Sequence, residues 1–281
     1  MYRELYRFGG MTFALESDAP LERSPVCEAF RVPDGVPDHT ICLRFSDALP
    51  TPPADALRRD DVFRWQAGAQ RHLLQWVSAP GDIPHFTYAV THGAHTDVIF
   101  ASAYRTGASV STALEAVGLF DVFAARGMLV LHSAYIVTSA GEAILFSGPS
   151  GIGKSTQAAL WERCAGARVV NGDRALVDVG KKTANGIFYA GTSGISENVT
   201  APVRAIVLLG QGSENRMFVP SPQAAFAGVL SQCAYYEWDA RSAEQMTECV
   251  ARLVSDVPVL RMDCLPDATA VETLHDQLGG I

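Results

Sequence analysis

Basic residues are scarce in this 281-residue chain, which has 22 lysines and arginines against 30 acidic residues and a formal net charge of −8. Lysine occurs only at Lys154, Lys181 and Lys182, and the arginines are dispersed along the sequence. A surface of that sign repels nucleic-acid phosphates and anionic lipid unless a local basic patch intervenes. The sequence contains no such patch, so we expect neither a nucleic acid nor a membrane as a partner.

Long apolar runs and closely spaced cysteines are also missing. The most apolar stretches, such as residues 205–210, have the length of a strand and are too short to cross a membrane. The first residues carry charges and contain no run that is typical of a signal peptide. The six cysteines lie far apart, without the C-x-x-C pair of a zinc or redox site. We therefore expect a cytoplasmic protein with reduced thiols.

The apolar content of 48% is enough for a packed core, and its pattern changes along the chain. Residues 1–107 contain short strand-like segments separated by turns, which predict a β-rich N-terminal domain built as an antiparallel meander. Residues 108–281 alternate between strand-like and helix-like segments, which predicts an α/β domain with a largely buried sheet. This second domain is expected to open with one helix over 111–126 and to include a strand at 187–190.

Residues 148–155 read GPSGIGKS and match the phosphate-binding pattern G-x-x-x-x-G-K-[ST] in full. Chance predicts only about 0.003 such matches in a chain with this glycine and lysine content. The motif follows an apolar segment at 143–147 and leads into a helical pattern at 156–164. Strand, glycine loop and helix are the arrangement that phosphate binding requires, because the loop amides and the helix N-terminus then face one anion.

The motif predicts that the chain binds a nucleoside triphosphate with Mg²⁺. Its glycines allow the backbone to close around phosphate oxygens, Lys154 can reach the β- and γ-phosphates, and the Ser155 hydroxyl can bind the metal. A glycine-rich turn that binds nothing would leave Lys154 unexplained in so lysine-poor a chain. The candidate nucleotide-binding residues are Gly148, Pro149, Ser150, Gly151, Ile152, Gly153, Lys154, Ser155 and Thr156.

Phosphoryl transfer also needs an acid that holds Mg²⁺ or accepts the proton of the attacking group. Asp173 is the nearest candidate, since it ends a strand-like segment after the helix, and a short β–α–β path would bring that end beside the loop. The alternative for Asp173 is an Asx-type turn residue in the sequence Asn-Gly-Asp.

Three segments together, 131–137 (LHSAYIV), 143–156 (AILFSGPSGIGKST) and 169–175 (VVNGDRA), resemble the catalytic domain of the HPr serine kinase/phosphorylase family. That family shares a fold with phosphoenolpyruvate carboxykinase. The resemblance covers residues 112–281 and is closest to the branch that includes serine kinases of ribosomally made precursor peptides. It implies a P-loop kinase domain that transfers phosphate from ATP, with Mg²⁺, to a serine hydroxyl on a peptide or small protein.

The resemblance also implies the roles of individual residues. Asp173, His132 and Lys154 would be catalytic, and Ser155 and Asp173 would bind the metal. Gly172 and Thr156 depart from the family, which has a first acid at the former position and usually glutamate at the latter. The departures leave the reverse phosphorylase reaction open, and also leave open whether Asp173 or His132 is the base. Without the resemblance, a lone histidine at the start of an apolar strand is typical of a structural residue.

Residues 189–198 correspond to a second glycine-rich loop of the family that approaches the phosphates. Its Thr192, Ser193, Gly194 and Ser196 offer backbone and hydroxyl donors, although an ordinary turn would have the same composition. Arg204 and Arg216 are further candidates, because a guanidinium group can neutralise the charge of the transferred phosphate.

Two other functions remain open at this stage. One is a kinase of a small hydroxylated metabolite such as free serine, which a deep closed pocket would favour over an open groove. The other is a non-catalytic nucleotide sensor or assembly subunit, which the missing first acid favours and the retained Lys154, Ser155 and Asp173 oppose. A small homo-oligomer is also expected, by analogy with the hexamers of HPr kinases.

Overall fold

The computed structural model describes residues 1–48, 50–78 and 84–279 and has mixed α/β structure, as the sequence predicts. The chain divides into two compact units, Met1–Leu119 and Phe120–Ile281. This division lies later than the boundary predicted near residue 107. The reason is backbone pairing within the first unit, because Glu22 donates to Ala108 and accepts from Val110. No helix in the described part of the chain is long and apolar enough to cross a membrane.

The first unit is built on one sheet. Among the described residues its strands are β1 (Tyr2–Phe8), β2 (Met11–Ser17), β3 (Arg31–Val32), β4 (His39–Phe45), β5 (Leu57–Arg59), β6 (Val62–Ala67), β7 (Gln70–Ser78), β8 (Pro84–His92) and β9 (His95–Phe100). They lie in the order β3-β1-β2-β4-β9-β8-β7-β6-β5. Its short helices are α1 (Pro25–Glu28) and α2 (Val110–Glu115), with a 3-10 turn at Ser102–Arg105.

The prediction of an antiparallel meander is wrong for the middle of this sheet. Strands β5 to β9 pair as successive antiparallel hairpins, but β4 is parallel to both of its neighbours, β2 and β9. Alternation along a strand reports which side chains face the core and not the direction of the neighbouring strand. That direction follows from the long connections before and after β4, which the local pattern does not encode.

The second unit also has one sheet, with helices. Its strands are β10 (Met128–Val137), β11 (Ala143–Ser147), β12 (Arg168–Asn171), β13 (Arg174–Asp178), β14 (Thr183–Asn185), β15 (Thr200–Gln211), β16 (Arg216–Phe218) and β17 (Val259–Cys264). The helices are α3 (Leu119–Ala124, which begins at the boundary), α4 (Lys154–Ala165), α5 (Pro222–Leu230), α6 (Ala240–Asp256) and α7 (Ala268–Gln277), and a 3-10 turn lies at Gly191–Ser193.

Two local predictions for this region differ from the structure, and one strand was not predicted. The single helix predicted over 111–126 is two helices, α2 and α3, because the chain turns between them at Gly118, where φ is 68°. Residues 187–190 form no strand, since their backbone lies in the connection between β14 and β15. Strand β17 was not predicted, although it lies between β15, with which it pairs in parallel, and β16.

The parallel strands position the glycine motif. Strand β11 is parallel to β15, which is parallel to β17, so their carboxyl ends meet at one edge of the sheet. Side chains of β11 alternate between two cores, with Leu145 in one and Phe146 in the other. The Phe146 core also contains Trp161 of α4 and Leu274 of α7. Burial on both faces therefore fixes the strand that leads into the motif and the helix that follows it.

Replacing Phe146 tests this packing. Phe146→Ala is expected to lower the free energy of unfolding of the second unit by about 3–5 kcal/mol, because the fully buried ring packs beside Trp161. Phe218→Ala, at a phenylalanine that is 42% exposed, is the control and should cost less than about 1 kcal/mol. Urea denaturation measures both values, and equal losses would contradict the assigned core.

Candidate functional site

The glycine loop, residues 148–153, connects β11 to α4 in the predicted order of strand, loop and helix. Gly148 has a φ of 145°, and a Cβ atom there would lie 3.2 Å from Cγ2 of Ile152 and 3.4 Å from the carbonyl oxygen of Leu209. A side chain at Gly148 would therefore require Ile152 to shift by a few tenths of an ångström, at a φ that residues other than glycine rarely adopt. Gly153 immediately precedes the first residue of α4, so the free amides of the helix N-terminus lie next to the loop.

Lys154 is buried beneath the glycine loop, with only 7% of the residue exposed. Its Nζ donates hydrogen bonds to the carbonyl oxygens of Gly148 at 2.9 Å and Pro149 at 3.0 Å. Burial lowers the pKa of Lys154, while the negative charge of Asp173 acts in the opposite direction. The loop therefore holds a cation at its centre, although no carboxylate contacts that cation directly among the described residues.

Asp173 lies in the turn between β12 and β13 and is partly buried between two basic side chains. Its Oδ1 is 3.5 Å from Nε2 of His132, and its Oδ2 accepts a hydrogen bond of 3.2 Å from Nε of Arg174. The hydrogen bond from His132 lowers the pKa of Asp173 most, and the charge of Arg174 lowers it further, against the opposing effect of burial. Asp173 is therefore held as a carboxylate.

Backbone pairing brings His132 and Asp173 to the glycine loop. His132 of β10 lies opposite Arg174 of β13, and the amide of Ser133 donates to the carbonyl oxygen of Asp173 at 2.9 Å. On the other side of β10, Oγ of Ser147 donates to the carbonyl oxygen of His132 at 2.8 Å. The end of β11 and the turn that carries Asp173 thus both contact β10 at residues 132–133.

These elements surround a cleft of about 300 Å³. The cleft is lined by residues 150–156 apart from Ile152, together with His132, Gly172, Asp173, Thr192 and Ser193. The cleft therefore brings together four of the candidate residues, namely Lys154, Ser155, Asp173 and His132. Gly148 and Pro149 contribute their carbonyl groups to Lys154 instead, and Ile152 packs against the core.

A larger cavity, of about 520 Å³, lies in the first unit against Arg3, Glu4 and Arg31. Its charged groups already pair with one another or with neighbours, as in the 3.1 Å contact of Arg31 with Glu4. The smaller cleft is the better candidate site, because it combines a helix N-terminus, a buried cation and a carboxylate.

The Asx turn that the sequence suggested is present, but Asn171 makes it. Oδ1 of Asn171 accepts hydrogen bonds from the amides of Asp173 and Arg174 at 2.9 and 2.8 Å. The Asp173 side chain is thus free of that structural role and contacts His132 and Arg174 in the wall of the cleft.

The two arginines proposed from sequence do not line the cleft. Arg204 donates to the carbonyl oxygen of Leu278 at 2.7 Å near the amino end of β15, whereas the cleft lies at the carboxyl ends. Arg216 is 64% exposed at its side chain and pairs with Glu214. Arg174, which the sequence did not single out, contacts Asp173 and lies over the ring of Tyr189 at 5.4 Å. Its only sequence signal is its position directly after Asp173.

The second glycine-rich segment contributes to the cleft in part. Thr192 and Ser193 are exposed at its edge, whereas Oγ of Ser196 donates to the carbonyl oxygen of Ile187 at 2.7 Å. A Cβ atom on Gly172 would overlap Oγ of Ser193. A side chain at position 172 would therefore require Ser193 to move. The carboxylate that lines the cleft belongs to the next residue, Asp173.

The cleft offers few metal ligands. Within the described ranges, no three His, Cys, Asp or Glu residues are grouped in a way that could hold a metal ion. The Ser155 hydroxyl and the Asp173 carboxylate are oxygen donors that suit Mg²⁺, which commonly binds through one or two protein groups plus substrate phosphates. These donors fit a metal that arrives with a nucleotide.

No protein family model and no curated protein matches this chain. The resemblance to HPr kinases therefore stays a prediction.

The charge of Asp173 should appear in the pH dependence of stability. Asp173→Asn is expected to lower the free energy of unfolding at neutral pH, because its pKa is lowered in the folded protein from the ordinary 3.8. A group with a lowered folded pKa stabilises fully above its unfolded pKa, and that contribution is lost as the pH falls through the folded value. The difference between variant and wild type should shrink below pH 3.8.

Asp256→Asn is the control, since it removes an exposed carboxylate that faces Lys182 at 3.5 Å, and should have little effect at any pH. Urea denaturation across a pH series measures both differences. An Asp173→Asn difference that is constant with pH would contradict the assigned charge state.

Proposed function

We propose that this chain is a cytoplasmic serine kinase that transfers the γ-phosphate of Mg·ATP to a serine hydroxyl on a peptide or small protein. Its second unit would be a P-loop kinase domain of the HPr kinase and phosphoenolpyruvate carboxykinase type. The observation that carries the proposal is the cleft, in which Lys154 and Ser155 of the glycine loop and helix α4 lie with Asp173 and His132. Each of these groups matches a requirement of phosphoryl transfer.

The loop and helix would bind the phosphates. Amides of the glycine loop and the N-terminus of α4 are donors for phosphate oxygens. Lys154 would exchange its hydrogen bonds to the carbonyl groups of Gly148 and Pro149 for bonds to phosphate oxygens. Ser155 and Asp173 would hold Mg²⁺, which neutralises negative charge on the phosphates when it is bound.

Asp173 and His132 would act on the acceptor. The carboxylate of Asp173 accepts a hydrogen bond from the serine hydroxyl and directs its oxygen toward the γ-phosphorus. A bond forms between the serine oxygen and the γ-phosphorus, and the bond from that phosphorus to the oxygen that bridges the β- and γ-phosphates breaks. The hydroxyl proton passes to Asp173. His132, whose Nε2 is 3.5 Å from Asp173, keeps that carboxylate oriented. A low pKa at Asp173 suits this role, because the transition state is loose and positioning contributes more than basicity.

The openness of the cleft favours a peptide acceptor over a free metabolite. Ser155 and Thr156 on one side, and Thr192 and Ser193 on the other, are exposed. A small metabolite is usually enclosed over most of its surface when it binds. An acceptor serine that reaches a partly exposed site is better supplied by a larger molecule.

Nucleotide binding is tested by replacing Lys154 and, as a control, Lys181. Lys154→Ala is expected to reduce the affinity for Mg·ATP by at least about tenfold, because a buried cation in contact with the loop is lost. Lys181→Ala removes an exposed lysine that pairs with Asp178, and should leave the affinity unchanged. Isothermal titration calorimetry measures both. Equal affinity in the two variants would exclude the glycine loop as the phosphate site.

Transfer is tested with γ-labelled ATP and Mg²⁺ against a panel of serine-containing peptides and free serine. Asp173→Asn is expected to reduce transfer by about a thousandfold, as is typical when a group that acts on the reacting proton is lost. Asp256→Asn, whose carboxylate is exposed, serves as the matched control and should transfer at the wild-type rate.

The outcomes of this assay separate the alternatives. Label on a peptide serine that is lost in Asp173→Asn supports the proposal. Label on free serine alone would instead support the metabolite kinase. Tight ATP binding without transfer to any acceptor would contradict a kinase and favour the nucleotide sensor.

A further inference from the structure

We infer that Asn171 is a positioning residue, which directs the Asp173 carboxylate into the cleft by joining the turn of residues 171–174 to the segment 187–196. This inference rests on the proposed function for its catalytic consequence. Its structural part, that the Asn171 side chain holds the turn, is independent of any activity.

The carboxamide of Asn171 is fully buried, and its oxygen accepts two hydrogen bonds. Oδ1 accepts from the amides of Asp173 and Arg174, at 2.9 and 2.8 Å, which closes the turn that carries both side chains of the charged pair. Without this acceptor, two amides in a partly buried turn would lose their protein partner. The conformation at Asp173 thus depends on a side chain two residues earlier.

The nitrogen of the same carboxamide binds the segment 187–196. Nδ2 of Asn171 donates to the carbonyl oxygen of Ile187 at 2.8 Å, and Oγ of Ser196 donates to that same oxygen at 2.7 Å. Residues 171 and 196 also form a β-bridge, and the amide of Glu197 donates to the carbonyl oxygen of Val170 at 3.0 Å. The start and the end of the segment 187–196 are therefore both attached to β12 at Asn171 and its neighbour.

Between those attachments the segment passes directly over Asp173. Gly191 has a φ of 54°, and a Cβ atom there would lie 2.7 Å from both Cβ and Cγ of Asp173. The backbone of Gly191 thus lies against one side of the carboxylate, and His132 and Arg174 contact its two oxygens. Because the attachments at Asn171 hold the segment, they also limit the directions in which the carboxylate can turn.

Asparagine is suited to this position because one rigid planar group supplies both the acceptor and the donor. Serine at the same position could accept one of the two turn bonds but could not reach Ile187. The chain offers a matched comparison at Asn185, which is also buried. Its Nδ2 donates to the carbonyl oxygen of Leu176 at 3.0 Å and its Oδ1 accepts from Thr200 at 2.8 Å, away from the cleft.

The experiment compares Asn171→Ala, Asn171→Ser and Asn185→Ala in the full chain. Asn171→Ala is expected to reduce kcat for the peptide acceptor by about a hundredfold while the KM for ATP rises by less than about tenfold, because Lys154 and the glycine loop are untouched and only the contribution of Asp173 to Mg²⁺ is weakened. Asn171→Ser should have an intermediate kcat, and it provides a milder variant if the alanine variant does not fold. Asn185→Ala should lose comparable stability but retain the wild-type kcat.

Hydrogen–deuterium exchange at the amide of Asp173 is the second readout and needs no activity. Protection of this amide should fall about tenfold in Asn171→Ala and remain unchanged in Asn185→Ala. Equal kcat losses in Asn171→Ala and Asn185→Ala, or unchanged protection at Asp173, would overturn the inference. If the wild-type chain transfers phosphate to no acceptor, the proposed function fails, and the exchange measurement alone then decides whether Asn171 holds the turn.

Discussion

The register of β10 is the constraint on which the rest of the site depends. This strand pairs with β11, β12 and β13, so that Ser133 lies opposite Ser147, Tyr135 opposite Asn171, and His132 opposite Arg174. The glycine loop follows the first of these partners, and the turn that carries Asp173 joins the other two. A slip of one residue would turn His132 to the other face of the sheet. The buried side chains of β10 oppose such a slip, because it would exchange those packed in one core, such as Tyr135, with those packed in the other, such as Ile136.

The charges of the cleft form a compensated set. Lys154 is buried against carbonyl oxygens, and Asp173 is held between His132 and Arg174. Arg174 is itself placed by the ring of Tyr189. Since buried charges are costly without partners, this arrangement keeps a cation and a carboxylate available in one cleft. A bound triphosphate would add negative charge on the side where the protein supplies amide donors and Lys154.

Local features were the most predictable parts of this chain. Strand β11, the glycine loop after it and helix α4 follow from short patterns of apolar residues and glycines, and all are present. The single helix over 111–126, the strand at 187–190 and the antiparallel pairing of β4 were wrong, because each depends on a turn or a connection that periodicity does not report. Arg204 and Arg216 were poor candidates for a similar reason, since a residue type alone does not say which end of a strand it occupies.

By itself, the sequence determined the glycine loop and its helix, together with Lys154 and Ser155. The requirements of such a loop are local, namely glycines at positions with positive φ, here Gly148, Gly151 and Gly153, and a helix that starts directly after them. Only the tertiary structure decided which other groups meet that loop. Asp173, His132 and the segment that carries Ser193 come from separate parts of the chain, and the pairing of β10 with three strands brings them together. Contacts of this kind depend on strand register and direction, which the folded core sets.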